Sequence, residues 1–248
     1  MGNAKRVVLW IKDYFFNNAR PDTKAVIGIS GGKDSSICAA LCVEALGKER
    51  VLGVLMPQDK QKDIDDSIRL CEHLGIDYIT INIGDAVYDL KKRVIENMAP
   101  SGRADMEINL PARIRMAVLY AVAQNLPEGG RVCNTCNYSE DFVGYSTKYG
   151  DAAGDFSPLG GLTVTEVRQL GLEIGLPEDL VLKTPSDGLC GQSDEDKLGF
   201  TYEQLDDYIN EHWDKVPDDV CEKIKKLHMA SRHKYKLIPT FWSYWLGE

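Results

Sequence analysis

The sequence predicts an α/β protein, a three-layer, doubly wound parallel sheet with helices on both faces. Two observations carry that reading. Short runs rich in Val and Ile alternate with longer stretches of helical periodicity, the pattern of a parallel sheet wrapped by crossover helices. The first such run, Val26-Ile27-Gly28-Ile29-Ser30, passes through Gly31-Gly32-Lys33-Asp34-Ser35-Ser36 straight into an Ala/Leu-rich segment. A strand, a tight turn and a helix N-terminus therefore follow one another without a gap.

Residues 5–17 read as an opening helix and 25–30 as the first strand. A helix over 35–46 and a strand over 51–56 come next, then a helix over 62–74 and a strand over 78–83. Val87, Leu90, Val94 and Met98 stand at helical spacing, which makes 85–98 an amphipathic helix. Residues 109–125 are apolar or small almost throughout from Leu110 onward, so this helix is expected to be covered on more than one side, as at a subunit interface or in a domain core. Arg113 and Arg115 lie on it two residues apart, about 200° around the axis, and cannot serve one site. Residues 131–134 read as a further short strand. From 144 to 196 the texture turns to Gly, Pro, Asp, Ser and Thr, with a helix expected at 165–175. Helices over 201–210 and 217–234 and a packed aromatic cluster at 241–245 complete the chain.

At 248 residues, 44% hydrophobic and 27% charged, the chain fits a single domain over residues 1–248. Lys and Arg number 29 against 38 Asp and Glu, a formal charge of −9, and this acidity argues against nucleic acid as a partner. No stretch approaches the roughly 20 apolar residues of a membrane span. Lys12 and Asp13 interrupt the N-terminal run before it could act as a secretory signal, and the cytoplasm is the expected compartment. Cys133 and Cys136 have metal or redox spacing but lack a second pair, and Cys38 and Cys42, one turn apart, read as small core hydrophobes.

The turn at 30–36 is built to bind an anion. Glycines let backbone N–H groups approach closely, and a helix N-terminus supplies partial positive charge. Asp34 puts a carboxylate beside that anion, an arrangement that calls for a metal ion. The spacing is neither the Walker pattern nor GxGxxG. Ligands of open α/β sheets gather at the carboxyl ends of the strands, so the loop should meet the segment after the 131–134 strand. Glu140 there is a second hard oxygen donor for Mg²⁺, and Lys148, Asp151 and Asp155 add one cation and two carboxylates.

Ser30-Gly31-Gly32-Lys33-Asp34-Ser35 matches the SGGxDS loop of the ATP pyrophosphatases, which split ATP into AMP and pyrophosphate. The chain as a whole resembles the ammonia-dependent NAD synthetases of that superfamily. The resemblance rests on Asn109-Leu110-Pro111-Ala112-Arg113-Ile114-Arg115-Met116, on Thr135 with Ser139-Glu140, and on Thr147-Lys148-Tyr149-Gly150-Asp151. It continues through Ser157-Pro158-Leu159, Lys183-Thr184-Pro185-Ser186, Gln192-Ser193-Asp194-Glu195, Leu198-Gly199 and His233-Lys234, all in family order.

The resemblance implies an adenine nucleotide alpha hydrolase-like fold and a homodimer with shared active sites. It implies amidation of deamido-NAD⁺ by ammonia through an acyl-adenylate, with release of AMP and pyrophosphate, the final step of NAD biosynthesis. ATP would be held by Gly28, Ile29, Ser30, Gly31, Gly32, Lys33, Asp34, Ser35, Thr135 and Ser186. Asp34 and Glu140 would hold Mg²⁺. Arg113, Lys148, Asp155, His233 and Lys234 would bind deamido-NAD⁺. Lys33 and Asp34 would act on the departing phosphates, and Asp151 or Asp155 would accept a proton from NH₄⁺. A glutamine-dependent version would need a glutaminase domain, for which 248 residues leave no room, so free ammonia is the expected donor. Residues 185–198, with Gly188 and Gly191, are the expected lid over the adenylate.

One departure stands out. Many relatives carry a Lys for ATP where this chain has Val164, with Arg168 nearby as a cation that could take over the contact. Two other readings remain at this point. A tRNA-thiolating enzyme shares the loop but calls for a basic RNA surface, whereas the pI here is near 5.1. A non-catalytic nucleotide sensor would bind ATP without forming AMP.

Overall fold

A computed structural model of the protein describes residues 2–60, 64–98, 104–182, 194–236 and 238–241. The first half alternates as expected. Helix α1 (Asn3–Asn18) precedes strand β1 (Lys24–Gly28), α2 (Lys33–Leu46), β2 (Val51–Leu55), α3 (Ile64–Leu74) and β3 (Asp77–Thr80). Then come α4 (Gly84–Asn97), α5 (Asp105–Asn125) and β4 (Gly130–Val132). The second half holds α6 (Tyr138–Val143), α7 (Val164–Glu173), α8 (Glu178–Val181), α9 (Asp194–Leu198), α10 (Tyr202–Ile209) and α11 (Asp218–Ser231).

The four strands are all parallel, in the order β3-β2-β1-β4. Val26 pairs with Leu52 on one side and Val132 on the other, which makes β1 the centre of the sheet. The side-chain period of two then sorts the strands between two cores. Ala25, Ile27, Val51 and Leu55 face α1, α2, α3, α7 and α8. Val26, Val54 and Val132 face α4 and α5. Both faces are thus covered, as a parallel sheet requires. A third cluster, away from the sheet, joins Val143 of α6 to Val164, Leu198, Phe200, Tyr202, Leu205 and Ile224.

Three helices depart from the sequence reading. Helix α5 begins at Asp105, so Pro111 falls inside it instead of in its first turn. Helix α6 is a short segment that periodicity does not reveal. Its start is fixed by Asn137, whose side chain accepts the Glu140 N–H at 3.0 Å. Its end is Gly144 at φ +72°, where a Cβ would come within 2.1 Å of Ser231 Cβ on α11. Helix α11 stops at Ser231, and Arg232–Lys234 form a separate 3₁₀ turn. The tail at 242–245 and most of the expected lid lie outside the described residues.

Candidate active site

The sheet order turns back at β1. Strands β2 and β3 lie on one side and β4 on the other, so a crevice opens at the carboxyl ends of β1 and β4. The chain leaves β1 through Ile29, whose N–H donates to Val54 O at 3.0 Å, and turns at Gly31, which adopts φ +77°. The serines then fold the loop onto itself. Ser30 Oγ lies 3.1 Å from Ser35 Oγ and accepts the Gly32 N–H at 3.2 Å. Ser36 Oγ donates to Gly32 O at 2.8 Å. Helix α2 starts at Lys33 in this loop, and its first-turn amides have no intrahelical acceptor.

Lys33 is only 3% exposed, and its Nζ lies 2.6 Å from Asp34 Oδ2. Burial alone would lower the ammonium pKa, but the charges of Asp34 and Glu140 outweigh it and hold Lys33 protonated, with Arg168 opposing. Asn137 ties this pair to α6. Its Nδ2 donates to Asp34 Oδ1 at 3.4 Å while its Oδ1 caps the helix that carries Glu140. Burial, and next the charge of Asp34, push the Glu140 carboxyl up to about 8, against the pull of Lys33 and Asn137. A buried carboxyl whose proton affinity is raised by a neighbouring carboxylate is relieved by a cation. Asp34 and Glu140 would offer such an ion two hard oxygen donors. No group of three or more His, Cys, Asp or Glu suited to a metal occurs among the described residues.

The segment after β4 is organised by Asn134, which the sequence pattern does not single out. Its Nδ2 donates to Asp151 O at 2.8 Å and Ala153 O at 3.0 Å, and its Oδ1 accepts from Cys136 N and Ser157 Oγ. A second hub, also silent in the sequence, is Asp206 of α10. One of its oxygens accepts from Ser139 Oγ, and the other accepts the Thr165 N–H at 2.8 Å, which locks α6 to α7 and α10. Thr135, the residue after Asn134, is half-buried. Beside Asn134, Asp155, Ser157, Lys234 and Tyr235 line an open cleft of about 380 Å³.

Both acids of the 147–157 loop are partnered. Asp155 Oδ2 accepts the Val132 N–H at 2.7 Å and its Oδ1 accepts from Tyr120 OH at 3.2 Å. Asp151 Oδ1 caps the Thr147 N–H at 2.9 Å. Desolvation raises the Asp151 carboxyl, against the Thr147 hydrogen bond and the charge of Lys234.

The three cations and the imidazole of the expected dinucleotide site come together. Arg113 Nε donates to Lys148 O at 3.2 Å, Lys148 Nζ to His233 O at 2.7 Å, and Lys234 Nζ to both Gly144 O and Ser146 O at 2.7 Å. Arg113, Lys148, His233 and Lys234 are therefore gathered at one edge. Burial lowers the Lys234 ammonium, opposed by Asp151 and reinforced by Arg113. Arg115 instead donates to Met56 O at 3.1 Å beyond β2, as the 200° offset requires.

Val164 does not face this site. It is fully buried in the third cluster, and its N–H donates to Ser139 Oγ at 3.1 Å. Cys38, Cys42, Cys133 and Cys136 are buried thiols, and burial pushes Cys38, Cys133 and Cys136 up. That is the reverse of what a thiolate ligand or nucleophile needs. Ser186, expected on ATP, lies outside the described residues.

Residues 3–238 match the family model described as NAD synthase. The NH(3)-dependent NAD(+) synthetase of Archaeoglobus fulgidus is 38% identical over 245 residues, which cover 96% of either chain. Among solved structures, an NMN synthetase from Francisella tularensis superposes with a TM-score of 0.85 at 34% identity, over 96% of both chains. The NH3-dependent NAD synthetase from Campylobacter jejuni gives 0.77 at 26% identity, over 96% of this chain and 97% of that one. A family match that takes in all four strands and both sides of the paired carboxylates decides the kinship, and the chain belongs to the NAD synthase family.

Proposed function

We propose that the crevice amidates the pyridine carboxylate of deamido-NAD⁺ with ammonia, at the expense of ATP. The observation that carries this is the Asp34–Glu140 pair, held by Asn137 across a loop whose free helix amides are shaped for phosphate. A pyridine carboxylate is a poor acyl electrophile. Its oxygen attacks the α-phosphorus of ATP, forming the acyl-adenylate and expelling pyrophosphate. Ammonia then adds to the carbonyl carbon, and AMP departs as the C–N bond forms.

Asp34 and Glu140 would hold Mg²⁺, which would supply positive charge to neutralise the phosphates. The α2 amides and Lys33 face the charge that grows on the leaving pyrophosphate. Residues 28–35, Thr135 and Ser186 form the ATP site. Arg113, Lys148, His233 and Lys234 take the dinucleotide, with Asp155 fixing the floor of the cleft. Asp151 is the better acceptor for a proton of NH₄⁺, because desolvation raises its proton affinity while both oxygens of Asp155 are engaged.

Two copies share the site. Helix α5 buries Met116, Leu119 and Ala123 against the sheet, yet leaves Ile108, Ala117 and Ala121 exposed beside the exposed Tyr88, Leu90 and Ile95 of α4. An apolar face of that kind fits a second copy. The cysteines among the described residues are free, which suits a reducing cytoplasm, and no described helix is long and apolar enough to cross a membrane.

A second acceptor, the mononucleotide analogue of deamido-NAD⁺, is favoured by the likeness to an NMN synthetase. Purified protein with ATP, Mg²⁺, ammonium and either acceptor should yield the amide and AMP in equal amounts, read by mass spectrometry. Faster turnover of the mononucleotide would move the assignment to the second reading. AMP-free reactions with both acceptors would end both.

A further inference from the structure

We infer that Arg168 is a phosphate-binding residue of this site, its guanidinium reaching from α7 to the ATP polyphosphate on the Lys33 side of the loop. The inference rests on reading that loop as the ATP site.

Arg168 stands one turn after Val164 on α7. Helical side chains lean towards the helix N-terminus, so the guanidinium covers the turn that begins at Val164. Helix α7 packs on α6 and on the helix that follows the loop: Val164 N–H bonds Ser139, the residue before Glu140, and Gly171 of α7 would put a Cβ 2.9 Å from Ile37 of α2. Arg168 Nε is buried and has no hydrogen-bond partner among the described residues. Acids close by in the sequence and fold are committed elsewhere. Glu166 closes the capping box with Thr163, and Asp206 binds Ser139 and the Thr165 N–H. The Arg168 charge nonetheless reaches Lys33, where it opposes protonation of the ammonium.

A guanidinium taken partly out of water without an anion is costly to keep. Aimed at a loop with free helix amides, it gains its anion when polyphosphate arrives, in the planar donor geometry that suits phosphate. Val164, turned into the core, contributes no cation there. Arg168 and Lys33 then bracket the β- and γ-phosphates and stabilise the pyrophosphate as it leaves.

The test compares wild type, R168Q and R168K by calorimetric titration with Mg²⁺ and each of ATP, pyrophosphate and AMP. Loss of a charge-assisted contact should weaken ATP and pyrophosphate in R168Q by about 10- to 100-fold and leave AMP unchanged. R168K keeps the charge without the fork and should fall between. Because the buried Nε is unpaired without ligand, the ligand-free Tm of R168Q should equal or exceed that of wild type. Equal weakening of AMP and ATP, a lowered ligand-free Tm, or wild-type ATP affinity in both variants would each overturn the inference. Wild-type protein that fails to bind ATP would instead sink the reading of the loop, and the inference with it.

Discussion

The Tyr120 hydroxyl on α5 donates to Asp155 Oδ1 at 3.2 Å, and the other oxygen of that carboxylate caps the Val132 N–H at the end of β4. Tyr14 of α1 adds a third tie, its hydroxyl donating to Asp155 O at 3.0 Å. One acidic residue thus joins a strand to a helix from each face of the sheet. Burial, and next the Asp155 charge, push the Tyr120 phenol up to about 12.

That shift has a sign. The folded chain keeps the Tyr120 proton where the unfolded chain, with an ordinary phenol near 10, has begun to lose it. The contribution to stability is complete below about pH 10 and is lost as the pH rises towards about 12. Y120F should therefore show a shallower alkaline loss of stability than wild type in urea unfolding across that window. An unchanged slope would mean the phenol is not held by Asp155.

The two loop acids should separate by measurement. D155N puts an amide where two donors converge and should cost about 1–3 kcal/mol in chemical denaturation. D151N keeps an oxygen for the Thr147 N–H and should cost under about 1 kcal/mol. It should instead raise the KM for ammonium about tenfold, with the KM for ATP unchanged.

Lys33 and Asp34 form a buried pair with side chains 2% and 19% exposed. Removing the ammonium leaves two acids facing each other, so K33M should lose about 3–5 kcal/mol without metal. Mg²⁺ supplies the missing positive charge, and its addition should raise the Tm of K33M more than that of wild type. Equal increments in thermal melts would show that the cation does not sit beside this pair.

Gly144 has φ +72°, and a Cβ there would overlap Ser231. G144A should cost about 2–4 kcal/mol from backbone strain and overpacking. Lys234 anchors on the Gly144 carbonyl, so the surviving enzyme should show a raised KM for the dinucleotide and an ordinary KM for ATP.

The sheet, its main helices and the loop were legible because strand runs and the 3.6-residue period are local. Ser30 to Ser36 could be read because a turn into a helix N-terminus is written in consecutive residues. Helix α6 was not, since six residues carry too little periodicity and only the Asn137 cap marks it. The Asn134 and Asp206 hubs were equally hidden. An Asn or Asp in a polar stretch looks solvated until its partners, at 151–157 or at 139 and 165, arrive from elsewhere in the chain. Lys33 is a related case. The resemblance implied a role on the phosphates without showing its setting, and the fold buries it beside Asp34, within reach of the Glu140 charge.

Asp34 belongs to the sheet and α2, whereas Glu140 rides on α6, whose Val143 packs into the separate helical cluster with α10 and α11. Catalytic competence is therefore a property of a seam, present only while two packing units stay seated on one another. Nucleotide and cation together act as a staple across that seam. On warming, the ligand-free enzyme should fall silent at a temperature where its sheet is still intact.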